Sequence, residues 1–376
     1  MAEGPGAGPA IELAGEQNPF LRYRSHLDSH RRALDGGLSD AEFVDIVSAL
    51  DLAVADVDGH GFTITPVIDG SAVVEAAELD PAIELWIKDE TNNVSGSHKA
   101  RHLFGVALHV LVDEAVGRPS SEALAIASCG NAALAAAVIA AAMKRELNVF
   151  VPTWAEPSIL DRLNDLGAMV TACPRRTGED GDPAYLRYRE AAASGLQPFT
   201  VQGTDTPTTF DGGRTLGWEL AEQVDSIDAV YIQVGGGALA TSTSMALPET
   251  TLYPVQTEGC APLRRAWDRL WPEFDFDDAA THPDDFMWPW EAEPTSAATG
   301  ILDDVTYDWL PLLRQTKATG GEPLVVAESL VGEAHQLGRR ETSIDVSATG
   351  TAGLAGLLHH RPAGGRLAVA FTGAAR

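Results

Sequence analysis

The residues best placed to do chemistry lie between Lys88 and Arg101, in the run Lys-Asp-Glu-Thr-Asn-Asn-Val-Ser-Gly-Ser-His-Lys-Ala-Arg. This polar loop passes into Leu103, Phe104, Val106, Ala107, Val110 and Leu111, whose spacing is helical. Ser95, Gly96 and Ser97 are helix-start signals, so Lys99 falls in the first turn. There the macrodipole disfavours an ammonium, and burial would push the same way, toward a neutral amine. A neutral lysine is a nucleophile able to form a Schiff base with an aldehyde. The competing reading is a solvated lysine whose charge snorkels off the helix start.

Two further strand-to-helix junctions carry ligand-binding chemistry. Gly235, Gly236 and Gly237, followed by Ala238 and Leu239, succeed an apolar strand and open a helix. Glycines there let backbone N–H groups approach a phosphate, with the helix N-terminus adding positive potential. Glycine-rich turns also occur without a ligand, and this one is neither Gly-x-Gly-x-x-Gly nor a Walker loop, which lowers the dinucleotide and nucleotide readings. At Ser128-Cys129-Gly130-Asn131, Asn131 reads as a helix N-cap or a ligand group. Cys129 reads as a small buried residue or an oxidation-sensitive thiol. Downstream, the Gly/Ala-rich run from Ser347 to Leu357 reads as a turn and a buried helix.

Taken in order, these segments resemble the fold-type II pyridoxal phosphate enzymes, the group of threonine synthases, serine/threonine dehydratases, cysteine synthases and the tryptophan synthase β chain. Lys88-Asp89-Glu90-Thr91, Asn93, Gly96-Ser97 and Lys99 resemble its lysine motif. Gly235–Gly237 resembles its tetraglycine loop, with three glycines where four are common. Val255 to Pro262 resembles a strand end of threonine synthases, and Gly212 to Gly217 the helix start before the glycine loop. His98 and Ala100 depart from it, since Phe and, in threonine and cysteine synthases, Asp are usual there. The resemblance runs from about Thr63 to Leu357.

The resemblance implies pyridoxal 5′-phosphate as cofactor, bound covalently by Lys99. It implies a phosphate site at Gly235, Gly236, Gly237, Ala238 and Leu239. Asn131 would then bond the cofactor's 3′ oxygen. Thr349 would face the pyridine nitrogen, with Asp345 and Ser347 as rivals for that contact. A hydroxyl there leaves the ring neutral, which suits elimination and replacement at the side chain. Ser97, Arg101, Ser128, Cys129, Gly130 and Asn131 are the candidate substrate-binding residues, Arg101 being offered for a phosphorylated substrate.

Composition bounds the alternatives. Acidic residues outnumber basic ones 54 to 26, giving −28, which argues against nucleic acid or anionic membrane as partners. Cys129, Cys173 and Cys260 are too few and too scattered for a disulfide framework or a cysteine metal site, and a reducing cytoplasm is expected. The start of the chain lacks a signal-peptide pattern. The apolar run from Ala132 to Met143 is too short to span a membrane and reads as a buried helix.

Alternating elements must position these groups. Strands are predicted at 85–87, 123–128, 148–152, 169–173, 199–202, 229–234 and 252–257. Helices are predicted at 131–147, 157–166, 184–193, 214–224 and 238–246. That alternation predicts an α/β protein with two doubly wound, parallel-rich units, and the resemblance places the cofactor in the cleft between them. Residues 1–110 with 207–376 would form a large cofactor-binding domain, its first 16 residues mobile, and 111–206 a smaller one. The acidic, Trp-containing stretch 267–294 reads as a solvated surface loop, with a lid or an oligomer contact as alternatives.

The function expected is that of a lyase acting on a small amino acid, with Lys99 removing the α-proton. The texture of Val255–Pro262 favours threonine synthase chemistry on O-phosphohomoserine. A serine/threonine dehydratase or a β-replacement enzyme is the alternative, and the relatives imply a homodimer. A catalytically idle cofactor-binding or regulatory homologue and a nicotinamide oxidoreductase are the competing classes.

Overall fold

The computed structural model describes residues 15–179 and 181–375. Through residue 14, the stretch expected to be mobile lies outside them. In chain order the strands are β1 (Val67–Asp69), β2 (Ile83–Asp89), β3 (Ala123–Ala127), β4 (Glu146–Pro152), β5 (Met169–Cys173), β6 (Gln197–Pro198), β7 (Ala229–Gln233), β8 (Thr251–Thr257), β9 (Leu324–Val326) and β10 (Gly365–Phe371). They form a larger sheet, β1-β2-β10-β7-β8-β9, and a smaller one, β5-β4-β3-β6. All pairings are parallel except that of β1 with β2. This is the expected α/β class with parallel-rich sheets. Parallel strands need crossovers, and helices such as Asn131–Ala142 and Ala238–Ala246 supply them.

Some boundaries differ from expectation for identifiable reasons. The helix predicted for 131–147 stops at Ala142, because Lys144 adopts a left-handed φ of 56° and β4 begins at Glu146. The strand predicted at 199–202 is a two-residue pairing at Gln197–Pro198 instead. The stretch 267–294 is not merely a loop. It contains the Phe276–Thr281 helix, and the Arg265 guanidinium lies 3.9 Å over the Trp288 ring. Among the described residues no helix is long and apolar enough to cross a membrane.

One apolar core crosses the boundary expected at 110/111. It joins Phe20, Phe43, Phe62 and Phe104 to Leu124, Ile126, Leu147 and Val149 of the smaller sheet. Phe20 and Phe104 meet with ring centroids 4.4 Å apart. The Lys99–Ala115 helix therefore packs on the N-terminal helices as well as on both sheets' neighbours. Its other contact is with the Thr209–Gln223 helix, and two glycines make that crossing close. A methyl group on Gly105 would sit 2.5 Å from the Gly212 amide nitrogen.

Polar ties hold the N-terminal helices to the same crossing. Asp211, buried, accepts the backbone N–H groups of Asp28 (2.8 Å) and Ser29 (2.9 Å), and its carboxylate lies 3.0 Å from His109 Nε2. Burial alone would raise its pKa, but His109, Arg214 and those N–H groups outweigh it and hold the carboxyl at about 2. A native pKa below the unfolded value stabilises the fold above about pH 4, and that contribution is lost as pH falls toward 2. We expect Asp211→Asn to cost about 2 kcal/mol at neutral pH. Urea unfolding between pH 2.5 and 7 would show the wild type losing this margin on acidification and the variant starting without it.

Candidate active site

The C-terminal ends of β2, β3, β7 and β10 point their following loops toward one another, where open parallel sheets place ligands. The loop after β2 begins with Asn93, whose side chain accepts the Val94 N–H, and then enters left-handed backbone at Ser95 (φ 56°) and Gly96 (φ 69°). Ser97 is extended and pairs with Gly373, after which the helix opens at Lys99. Lys99 is half-buried. Its amine is held below the ordinary lysine value by desolvation, against the opposing pull of Asp303 and Asp308. Desolvation therefore acts as the sequence suggests, toward an amine that can be a nucleophile.

Asn131 is the first residue of its helix and makes no cap; Gly130 holds the N-cap position. Its amide instead turns toward the loop after β10, where a methyl group on Gly373 would come within 2.9 Å of Nδ2. Ser97, Lys99, Asn131 and Gly373 are thus brought together. Ser97 is fully buried and its Oγ has no partner, which marks it as a ligand group. Ser128 N–H donates to Phe150 O at 3.2 Å and Gly130 N–H makes a long 3.4 Å bond to Ser128 Oγ, which leaves the turn the Cys129 and Asn131 N–H groups to offer. Burial, with Asp182 and Asp303 nearby, raises the Cys129 thiol above its usual value, so it is a neutral wall of this turn.

The glycine turn after β7 has the geometry of an anion anchor. Gly237 takes φ 105°, open to glycine and costly to others, and starts the Ala238–Ala246 helix with Ala238 and Leu239 buried. The segment 301–308 lies across it: Asp308 N–H donates to Gly236 O at 2.8 Å, and Asp303 Oδ2 lies where a methyl group on Gly235 would collide with it. Burial raises Asp303 to about 6, countered by Lys99, and burial raises Asp308 to about 7, countered by the Gly203 and Thr204 amides. Neither carboxylate was read from the sequence as part of a site.

Thr349 is joined to the same region through Gln233, at the end of β7. Gln233 Nε2 donates to Thr349 O (3.0 Å) and to Thr372 Oγ1 (2.7 Å). Thr349 Oγ1 accepts the Gly300 N–H at 2.9 Å. Thr372, missed from the sequence, is a second hydroxyl at this position. Its oxygen is filled by Gln233 and its proton stays free to donate to a ring nitrogen. His98 is buried, with Nδ1 3.0 Å from Thr372 O. Burial, then Lys99 and His102, hold it well below its ordinary value, so it is a neutral packed ring that donates to that carbonyl.

Arg101 is a correction. It is 1% exposed, and every guanidinium nitrogen donates to Glu90, Glu219, Thr65 or Thr215. Lys88 Nζ joins the cluster through Glu219 at 2.6 Å. Two cations and two anions close on themselves, so Arg101 cannot hold a substrate. Spacing after Lys99 suggested the cleft, but Arg101 lies on the face turned to the Thr209–Gln223 helix.

A lysine amine, an amide, unpartnered hydroxyls and a glycine-built anion anchor fit pyridoxal phosphate, with Asp303 the one group set against the phosphate. A family model described as pyridoxal-phosphate dependent enzyme matches residues 64–373. L-threonine ammonia-lyase of Thermotoga maritima is 27% identical over 228 residues, 57% of this chain and 53% of that protein. L-serine dehydratase of Saccharomyces cerevisiae is 28% identical over 198 residues, 48% of this chain and 58% of that one. The matches thus span about half the length of these curated relatives. Among solved structures, the processed form of threonine deaminase isoform 2 from Solanum lycopersicum superposes with a TM-score of 0.67 at 19% identity, covering 90% of this chain and 86% of that one. Maize serine racemase gives 0.66 at 17% identity, covering 87% and 93%; at such identities these two establish the fold alone. With the family match covering most of its length, the chain belongs to the pyridoxal-phosphate dependent enzymes.

Proposed function

We propose that the protein is a lyase of the serine/threonine dehydratase type, removing the hydroxyl and amino groups of a small hydroxy-amino acid to give a 2-oxo acid and ammonia. The observation that carries this is electrostatic. Threonine synthase chemistry on O-phosphohomoserine, favoured by the texture of Val255–Pro262, needs a free cation for the substrate phosphate. The cations offered near the lysine motif, Lys88 and Arg101, are closed in their pairs with Glu90 and Glu219. Asp303 and Asp308 face Lys99 instead. A side chain without negative charge suits such a mouth. The names of the curated relatives, an ammonia-lyase and a dehydratase, point the same way.

Lys99 would hold the cofactor, Asn131 its 3′ oxygen, the turn Gly235–Leu239 its phosphate, and Thr349 or Thr372 its ring nitrogen. When bound, pyridoxal phosphate supplies an electron sink conjugated to the substrate's α-carbon. Lys99, released by the incoming amino group, takes the α-proton on Nζ. The backbone N–H groups of Cys129 and Asn131, at a helix start, would hold the substrate carboxylate, and Ser97 Oγ is a further donor. Neutral hydroxyls at the ring nitrogen favour loss of a β-substituent over transamination. The division into a unit of 111–206, holding the smaller sheet, and a cofactor-binding remainder, and assembly as a cytoplasmic homodimer, belong to the same proposal.

The test is a panel of L-serine, L-threonine, O-acetyl-L-serine and O-phospho-L-homoserine, followed for 2-oxo acid, ammonia and inorganic phosphate. We expect 2-oxo acid and ammonia in equal amounts from serine or threonine. Phosphate and threonine from O-phosphohomoserine would restore the synthase reading. Bound cofactor with no α-proton exchange on any amino acid would indicate an idle homologue.

A further inference from the structure

The anchor that a cofactor phosphate would use is already held by a side chain of the chain itself. The Asp303 carboxylate packs against the glycine turn after β7. A methyl group on Gly235 would collide with Asp303 Oδ2, and one on Gly236 would lie 3.6 Å from it, so the carboxylate lies across the turn. The backbone on either side fixes it there. Asp308 N–H donates to Gly236 O at 2.8 Å, Gly300 N–H donates to Thr349 Oγ1 at 2.9 Å, and Cys260 Sγ donates to Asp303 O at 3.2 Å. A carboxylate and a phosphate are both anions that take backbone N–H groups at a helix start. They cannot take the same one.

We propose that Asp303 is a built-in occupant of the phosphate anchor, which pyridoxal phosphate must displace from the Gly235–Gly236 turn in order to bind. Cofactor loading is then opposed by the negative charge of Asp303. The charged groups facing that carboxylate are Lys99 from its own helix, Asp182 from the start of the Pro183–Ala193 helix, and Asp304 alongside; Cys129, Cys260 and Tyr307, all neutral here, are the other titratable neighbours. Lys99 favours the carboxylate; burial, Asp304 and Asp182 favour the acid, and Asp303 titrates at about 6. Below that pH the occupant is a neutral acid and competes weakly. Above it the full charge resists the phosphate.

This inference rests on the cofactor and not on the reaction, so it is measured without turnover. Apoprotein, wild type and Asp303→Asn, is titrated with pyridoxal 5′-phosphate and, separately, with pyridoxal, which lacks the phosphate. Binding is followed by Schiff-base absorbance from about pH 5.5 to 8. We expect the variant to bind pyridoxal phosphate about tenfold more tightly near pH 8, the gap closing below about pH 6. Pyridoxal affinity should change far less, by no more than the loss of Asp303 does to the Lys99 amine. Comparing the proteins at each pH cancels the titration of the phosphate itself. Equal or weaker binding of pyridoxal phosphate by the variant overturns the proposal. So does an equal gain for pyridoxal, which would mean that Asp303 acts on Lys99 alone. Asp303→Ser, which also removes the charge, carries the same expectations should the Asn protein not fold.

Discussion

Lys99→Ala is expected to remove the Schiff-base absorbance of the purified protein and to lower turnover of its best amino acid by at least about 10³-fold. The size follows from the two duties of one atom. In the proposed mechanism Nζ would hold the cofactor in place and then accept the α-proton. Lys88, the next lysine along the motif, is buried and committed to Glu219, Thr65 O and Gln223. Lys99→Arg should fail as completely, because a guanidinium stays protonated and forms no such adduct. Borohydride reduction followed by peptide mapping gives the complementary readout, with the label on Lys99 in the wild type and absent from both variants. A label on another lysine would transfer the role and dismantle the site as described.

Glu219→Gln is expected to lower the free energy of unfolding by about 3–5 kcal/mol, the largest stability effect anticipated outside the apolar core. Glu219 bonds Arg101 at 2.6 Å through Oε1 and Lys88 at 2.6 Å through Oε2, and it is fully buried. Without its charge, two buried cations face Glu90 alone. Desolvation lowers the Lys88 pKa, partly restored by Glu219, so the amine would shed its proton more readily in the variant. Arg101→Ala should cost a similar amount for the opposite reason, leaving two buried carboxylates with Lys88 alone. Denaturant titration measures both losses. The alternative role for Arg101 has a distinct signature, a raised KM in Arg101→Lys with the midpoint of unfolding unchanged. That outcome would return Arg101 to the substrate.

Local chemistry was readable from the sequence, and long-range pairing was not. Lys99, Asn131 and Gly235–Gly237 could be singled out as candidates because each sits at a strand-to-helix junction where spacing and residue type agree. The same reasoning misplaced Arg101, since its partner Glu219 belongs to a helix far along the chain. It also missed β10. The run Leu367 to Phe371 is apolar throughout, and such a run shows no periodicity by which to recognise a strand. β10 is flanked by β2 and β7 in the larger sheet and delivers Thr372 and Gly373 to the site, so missing it hid a second candidate for the ring nitrogen. Asp303 escaped because an acidic residue in a long connection resembles any solvated loop.

The core that runs from Phe20 through Phe104 to Val149 has a mechanical consequence. A smaller sheet hinged on a bare seam could swing shut over a ligand as a rigid flap. Here the segment ahead of residue 64, where the family match begins, is wedged against the lysine helix and shares its interior with that sheet. Any such swing would have to part the core that joins Phe20 and Phe104 to Leu124, Ile126 and Val149. We therefore expect closure to fall to the loops at the strand ends, with the lysine helix still while they move.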